Sequence, residues 1–188
     1  MENIIHLYVK CFSYFTGPCN SWESLDITHD LMVKEYQNWG RVYIIQLDIK
    51  ITYLPSTLVT NLPPDWLSVF QILERNNKAG VDRKPAIFVN YNLKKLYFYY
   101  TVSGVKELTV DIQLNKLYQI VIQQFKEGKK YWFEIIIDGV SKVKIENTQP
   151  KIFSNVKFYA GNPWYEPFSS EFGSISNIII SKSKVKTF

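Results

Sequence analysis

Apolar and polar positions alternate along most of this chain, and this pattern predicts strands. The longest example is residues 43–52, YIIQLDIKIT, in which every odd-numbered position is apolar and most even-numbered positions are polar. Side chains of a strand point alternately to its two faces, so one face is predicted to join a core and the other to face water.

Similar patterns predict strands along the rest of the chain. These are residues 66–74, 86–91, 95–102, 105–111, 117–125, 131–137, 140–145, 153–160 and 174–181. Asp138-Gly139 lies between two of them and has the residue types of a tight hairpin turn. Residues 26–39 fit a short strand or a helical turn equally well. The total of about ten or eleven strands predicts an all-β, two-sheet antiparallel jelly-roll β-sandwich, and a closed up-and-down barrel is the structural alternative.

The loop between the last two predicted strands is a candidate binding site. An aromatic ring suits the apolar face of a sugar, and amide or carboxylate groups suit its hydroxyls. This loop supplies both, and a second polar loop adds a charged pair. The candidate ligand-binding residues are Asn162, Trp164, Tyr165, Glu166, Asp82 and Arg83. Packing of Trp164 against the end of the sandwich is the alternative interpretation.

Composition indicates a folded domain with no sign of nucleic-acid binding. Hydrophobic residues make up 46% and aromatic residues 16% of the 188 residues, enough apolar surface for a core. The net charge of +5 comes from scattered lysines without a basic stripe, so nucleic acid is not an expected partner. No segment approaches the roughly 20 apolar residues of a membrane span.

The N-terminus and the cysteines bear on location. No signal-peptide pattern is visible, so either a signal was removed before residue 1 or the protein stays inside the cell. Cys11 and Cys19 flank a short segment with Gly17-Pro18, which can turn the chain back. A disulfide between them is predicted, and free thiols are the alternative.

Several segments together resemble the concanavalin A-like lectin/glucanase superfamily, particularly its laminin-G-like domains. They are VYIIQLDIKI, WLSVFQILE, DRKPAIFV, YWFEIIIDGV, ENTQPKIFSNVKFYAGNPWYEP and GSISNIII. The resemblance covers about residues 25 to 182, with an N-terminal segment at 1–24 and a basic tail at 183–188. It implies a β-sandwich that binds glycans, glycosaminoglycans or proteins, sometimes through calcium.

Calcium and catalysis have weaker support in the residues. No loop has clustered acidic spacing, and Asp82 and Glu166 are the best calcium candidates. Hydrolysis of glycans requires two carboxylates, and the nearest pair, Glu134 and Asp138, lacks the glucanase motif. The sequence therefore predicts that the chain is not an enzyme.

The expected function is recognition, with carbohydrate binding in an extracellular or cell-surface context favoured. The alternative is a protein-protein interaction or adhesion module of a receptor or structural assembly. An intracellular structural protein is a third interpretation, consistent with the lack of a visible signal.

Overall fold

The structure, a computed structural model, describes residues 25–26, 31–54, 66–74, 85–161 and 173–182, and every regular element in these ranges is a strand. The strands are β1 (Leu25–Asp26), β2 (Leu31–Trp39), β3 (Tyr43–Ile51), β4 (Trp66–Glu74), β5 (Ala86–Asn90), β6 (Lys95–Thr101), β7 (Val105–Asp111), β8 (Leu117–Glu127), β9 (Lys130–Ile137), β10 (Val140–Glu146), β11 (Phe153–Ala160) and β12 (Gly173–Ser181).

The strands form two antiparallel sheets, which confirms the predicted β-sandwich. The first sheet has the order β1-β12-β3-β8-β9-β10, and the second has the order β2-β11-β4-β5-β6-β7. The last two strands belong to different sheets, so they do not pair with each other. The domain boundaries at 1–24, 25–182 and 183–188 stay a prediction.

The core lies between the inner faces of the two sheets. Alternation places Ile45, Leu47, Ile49 and Ile51 of β3 in one fully buried row. Apolar rows of β8 and β9 continue this inner face, and rows of β4, β5, β6 and β11 pack against it from the second sheet.

An aromatic cluster packs at one end of this core. The Trp39 ring lies 4.9 Å from that of Phe158 and 5.4 Å from that of Tyr43, measured between centroids. Tyr36 in the second sheet donates a hydrogen bond of 3.0 Å from its hydroxyl to the Ile180 carbonyl in the first sheet. Both the rings and this bond therefore connect the sheets.

Two local predictions have clear outcomes. Residues 31–39 form a full strand, which settles most of the segment that periodicity left open. Asp138 and Gly139 have φ values of 52° and 75°, the left-handed conformation that a tight hairpin turn requires.

Asp48 differs from expectation: it lies on the outer face of β3, yet it is buried and accepts a 2.6 Å hydrogen bond from the Asn177 amide.

We expect Trp39→Ala to lower the free energy of unfolding by about 3–5 kcal/mol, because a fully buried ring is replaced by a cavity. Urea unfolding measures the change. Val105→Ala is the control, since Val105 is 64% exposed and its truncation should change stability by less than about 0.5 kcal/mol. Equal effects of the two variants would contradict a core role for Trp39.

Candidate functional site

A cavity of about 310 Å³ lies at one end of the sandwich. Its walls come from both sheets, at the start of β3, the end of β6 and the segments that follow β6 and β10. The inner rows of the strands reach this end, where apolar residues give way to residues that carry hydrogen-bonding groups. The cavity is therefore an outward continuation of the core.

The deeper part of the cavity combines aromatic rings with amides. It is formed by the buried side chains of Tyr43, Tyr100, Gln124, Phe133 and Asn147. Tyr100 of the second sheet stacks on Phe133 of the first, with centroids 4.9 Å apart and an interplanar angle of 19°. This pair joins the two sheets and provides an apolar wall.

Hydrogen bonds connect the buried amides in a chain. Gln124 donates from its side-chain nitrogen to the Arg41 carbonyl at 2.7 Å, and Asn147 donates to the Gln124 side-chain oxygen at 2.6 Å. The Gln149 backbone N–H donates to the Asn147 side-chain oxygen at 3.0 Å. These bonds offset the cost of burying the amides and hold the segment after β10 against the first sheet.

Two tyrosine hydroxyls in the cavity make no hydrogen bond to the described residues. Tyr43 is 7% exposed and Tyr100 is 5% exposed, and no fully buried side-chain oxygen in the described chain lacks a partner, so the small exposed part of each side chain includes its hydroxyl. Burial raises the pKa of both hydroxyls above their ordinary value of 10.0, so both stay protonated at neutral pH. Two donors that are accessible from the cavity thus remain available to a bound molecule.

The mouth of the cavity is polar. It includes Thr101, Ser103, Gln149 and Lys151, all of which are exposed. The hydroxyls of Ser103 and Thr148 lie 3.2 Å apart in a hydrogen bond that joins the segments after β6 and β10. Lys151 is the one charged side chain among the described residues that line the cavity, and none of those residues is a carboxylate.

The site residues predicted from the sequence lie outside the described residues. Asn162, Trp164, Tyr165 and Glu166 follow the end of β11, whereas Phe153 at the start of that strand lines the cavity. These two ends of β11 are about 23 Å apart at 3.3 Å per residue. Asp82 and Arg83 precede Pro85, which lines the cavity. All six residues stay a prediction.

The cysteine and calcium predictions also fall outside the described residues. Cys11, Cys19, Asp82 and Glu166 are all beyond those ranges. Within the ranges, no group of three or more His, Cys, Asp or Glu side chains is placed to hold a metal ion. The same part of the chain contains no helix long and apolar enough to cross a membrane.

The two carboxylates considered for catalysis have structural partners. Glu134 is 9% exposed and accepts hydrogen bonds of 2.8 Å from the side chains of Gln123 and Ser141. Asp138 lies in the β9–β10 turn, where its carboxylate accepts a 3.0 Å bond from the Gln119 backbone N–H and lies 2.7 Å from the Lys116 ammonium. Each group therefore stabilises local structure.

Comparison with known proteins shows the fold of the chain. No family model matches the sequence, and a search of curated proteins finds no match. Among solved structures, Trypanosoma rangeli sialidase in complex with sialic acid has a TM-score of 0.55 at 11% identity, over 77% of this chain and 21% of that chain. A tryptophan-to-alanine variant of HCR/D has a TM-score of 0.51 at 12% identity, over 80% of this chain and 35% of that chain. The receptor binding domain of botulinum neurotoxin D is more remote, with a TM-score of 0.49 at 12% identity over 80% of this chain and 35% of that chain.

These matches correct one expectation. The sialidase is an enzyme, and a second structure of it is described as a covalent intermediate, with a TM-score of 0.53 over 77% of this chain and 21% of that chain. The finding contradicts the prediction that the present chain is not an enzyme, and that prediction was wrong. It depended on the lack of a two-carboxylate motif on one strand, but catalytic groups can converge from separate strands. Because the match covers 21% of the sialidase, the likeness concerns part of that protein.

Sequence reasoning missed the cavity residues. Tyr43 and Gln124 occupy inward-facing positions of β3 and β8, directly opposite each other in the sheet register. A glutamine in an otherwise apolar inward row is the signal that was available, because a buried amide requires partners. Asn147 and Lys151 lie in a connecting segment with no pattern that links them to β3.

Removing the two unpartnered hydroxyls should not destabilise the protein. We expect the double variant Tyr43→Phe/Tyr100→Phe to unfold at the same free energy as the unaltered protein or up to about 1 kcal/mol higher, since no protein hydrogen bond is lost. Asn147→Ala is the contrast and should cost about 1–3 kcal/mol, because it leaves buried amide partners unsatisfied. Chemical denaturation compares the three proteins. Strong destabilisation by the tyrosine variant would show that the hydroxyls have protein partners.

The turn aspartate should make stability depend on pH. The hydrogen bond from Lys116, followed by that from the Gln119 backbone, lowers the pKa of Asp138 below its ordinary value of 3.8. A lowered folded-state pKa contributes stability above the unfolded-state value and loses it as pH falls. We therefore expect the stability advantage over Asp138→Asn to be largest near pH 7 and to shrink as pH falls below 3.8.

Thermal unfolding between pH 2 and pH 7 measures this difference. In a Lys116→Met background, the pH dependence of the Asp138→Asn effect should be much smaller, because the main cause of the pKa shift is gone. An unchanged dependence in that background would contradict the assignment to the Lys116 pair.

Proposed function

We propose that this chain is a recognition domain that binds a glycan, and that the end cavity holds one sugar residue of that glycan. The observation that carries the proposal is the pair of tyrosine hydroxyls that are accessible from the cavity, have no partner among the described residues and lie beside an aromatic wall. A sugar ring presents an apolar face and several hydroxyls, so it suits ring surfaces and hydrogen-bond donors together.

The size of the cavity supports a small ligand. About 310 Å³ is at the lower end of the roughly 300–1,000 Å³ range of small-molecule sites. This volume suits one sugar residue, while the polar mouth leaves room for the rest of a glycan to extend into water. The buried amides bond to each other and to the backbone of Arg41 and Gln149, so the site is formed before a ligand arrives and little ordering cost accompanies binding.

The similar structures add limited support. The sialidase structure contains sialic acid, and it shares the sandwich fold over 77% of the present chain. At 11% identity this likeness concerns the fold alone, and sugar binding is therefore inferred from the residues of the cavity. Membership of the laminin-G-like domains stays a proposal based on the quoted segments, as does an extracellular or cell-surface location, where glycans are displayed.

The loop with Asn162, Trp164, Tyr165 and Glu166 is the competing location for the same function. The two candidate sites differ in which substitution should weaken glycan binding. Tyr43→Phe/Tyr100→Phe removes the two cavity hydroxyls, and Trp164→Ala removes the tryptophan ring of the loop.

A glycan array with purified protein tests the function, followed by titration of the best hit. We expect the affinity of Tyr43→Phe/Tyr100→Phe to fall by about two- to tenfold for each hydroxyl that contacts the sugar, the equivalent of one hydrogen bond. Tyr53→Phe is the matched control, since Tyr53 lies beyond the other end of β3 and is 47% exposed.

Two results would count against this proposal. Loss of binding in Trp164→Ala but not in the tyrosine variant would move the site to the loop. No glycan binding at all, combined with a stable oligomer in light scattering or capture of a protein partner, would favour the protein-interaction alternative.

A further inference from the structure

The end cavity has a positive charge at its mouth and no carboxylate among its described lining residues. Lys151 is exposed at its mouth and forms no ion pair with any described residue. Among the described residues, the ammonium of Lys151 is therefore a positive charge at the mouth without a carboxylate partner.

The uncharged groups in the cavity also offer hydrogen-bond donors that have no partner among the described residues. The Tyr43 and Tyr100 hydroxyls stay protonated and have no partner in the described chain. The Gln149 side-chain amide at the mouth is likewise without a hydrogen bond among the described residues. The side-chain oxygens of Gln124 and Asn147 each already accept a bond. The two tyrosine hydroxyls and the Gln149 amide N–H groups therefore remain as donors, with the Gln149 amide oxygen as an acceptor beside them.

A carboxylate is the complementary group. It accepts hydrogen bonds through two oxygens and donates none, and bonds from an ammonium or hydroxyl to it are stronger than neutral ones. The aromatic wall formed by Tyr100 and Phe133 restricts the rest of the ligand to a group with an apolar face. An inorganic anion would leave this wall uncovered.

We infer that the end cavity selects a sugar residue that carries a carboxylate, with Lys151 at the mouth facing the carboxylate and the two tyrosine hydroxyls facing the ring. This inference rests on the proposed glycan-binding function and narrows the ligand to acidic monosaccharides, such as a uronic acid or a sialic acid at the end of a chain.

The experiment compares sugars that differ only in the acid group. Methyl glucoside is paired with methyl glucuronide, and methyl galactoside with methyl galacturonide, with N-acetylneuraminic acid as a fifth probe and acetate as the carboxylate without a sugar. Calorimetry or ligand-observed NMR gives the affinities. We expect at least one acid to bind about three- to fivefold more tightly than its neutral partner, the range of a partly exposed charge pair.

Charge variants assign this preference to one residue. Lys151→Gln should remove the preference for the acid over its neutral partner, and Lys151→Glu should reverse it. Lys50→Gln is the control, because it removes the same charge about 23 Å further along β3 from the cavity residue Tyr43. The preference should also fall when salt is raised from 0.05 to about 0.5 M, whereas the affinity of the neutral sugar should not.

Failure of this inference can be distinguished from failure of the proposed function. Equal affinity for acidic and neutral sugars, or a preference that survives Lys151→Gln, would overturn the inference and leave glycan binding intact. Acetate binding as tightly as the sugar acids would overturn it too, since the ring would then contribute nothing. No binding of any of the five sugars would overturn the inference, whereas the proposed function would be overturned only if the glycan array also showed no binding.

Discussion

Inward-facing apolar rows are the constraint on which this molecule depends. Each strand of the two sheets must place its apolar side chains toward the facing sheet, at a separation of about 10 Å. The fully buried row of β3 and the Trp39–Tyr43 contact between the sheets meet that requirement with aliphatic and aromatic packing. Burial of this surface is the main favourable contribution to folding, so the interior of the sandwich tolerates little change.

The same constraint explains why the cavity lies at an end of the sandwich. A polar group in the middle of an inward row has no partner, whereas a group at the end of a row can reach a connecting segment or water. Gln124 occupies such an end and finds the Arg41 carbonyl and the Asn147 amide. Tyr43 and Tyr100 occupy equivalent positions with hydroxyls that have no partner in the described chain. The end of the sandwich is thus where binding groups can be placed without loss of core packing.

The amino-acid sequence predicted the fold better than the site, for a physical reason. Strand alternation is a local property, so residues 43–52 and the Asp138-Gly139 turn were visible without knowledge of pairing. Strand order and the burial of Asp48 depend on partners far along the chain, such as Asn177, and no local pattern reports them.

The candidate site was harder to predict from the sequence than the strand order. Sequence reasoning favours residues that cluster in one loop, as Asn162 and Trp164 do. The cavity instead collects residues from Tyr43 to Phe153, brought together by sheet pairing and by the contact between sheets. The inward position of Tyr43 predicted its burial correctly, but alternation gives no information about whether a buried hydroxyl has a partner.

The Tyr100–Phe133 stack joins the two sheets at the wall of the cavity, and this has a consequence for unfolding. A ligand held between these walls would contact both sheets, and so would have to leave before they separate. A bound ligand would therefore stabilise the folded state. By mass action, a ligand at a hundredfold excess over its Kd adds about 2.7 kcal/mol to the unfolding free energy. Amide hydrogens at the start of β3 and the end of β6 would exchange more slowly in the bound state. Slower exchange at this end of the sandwich would therefore indicate a bound ligand.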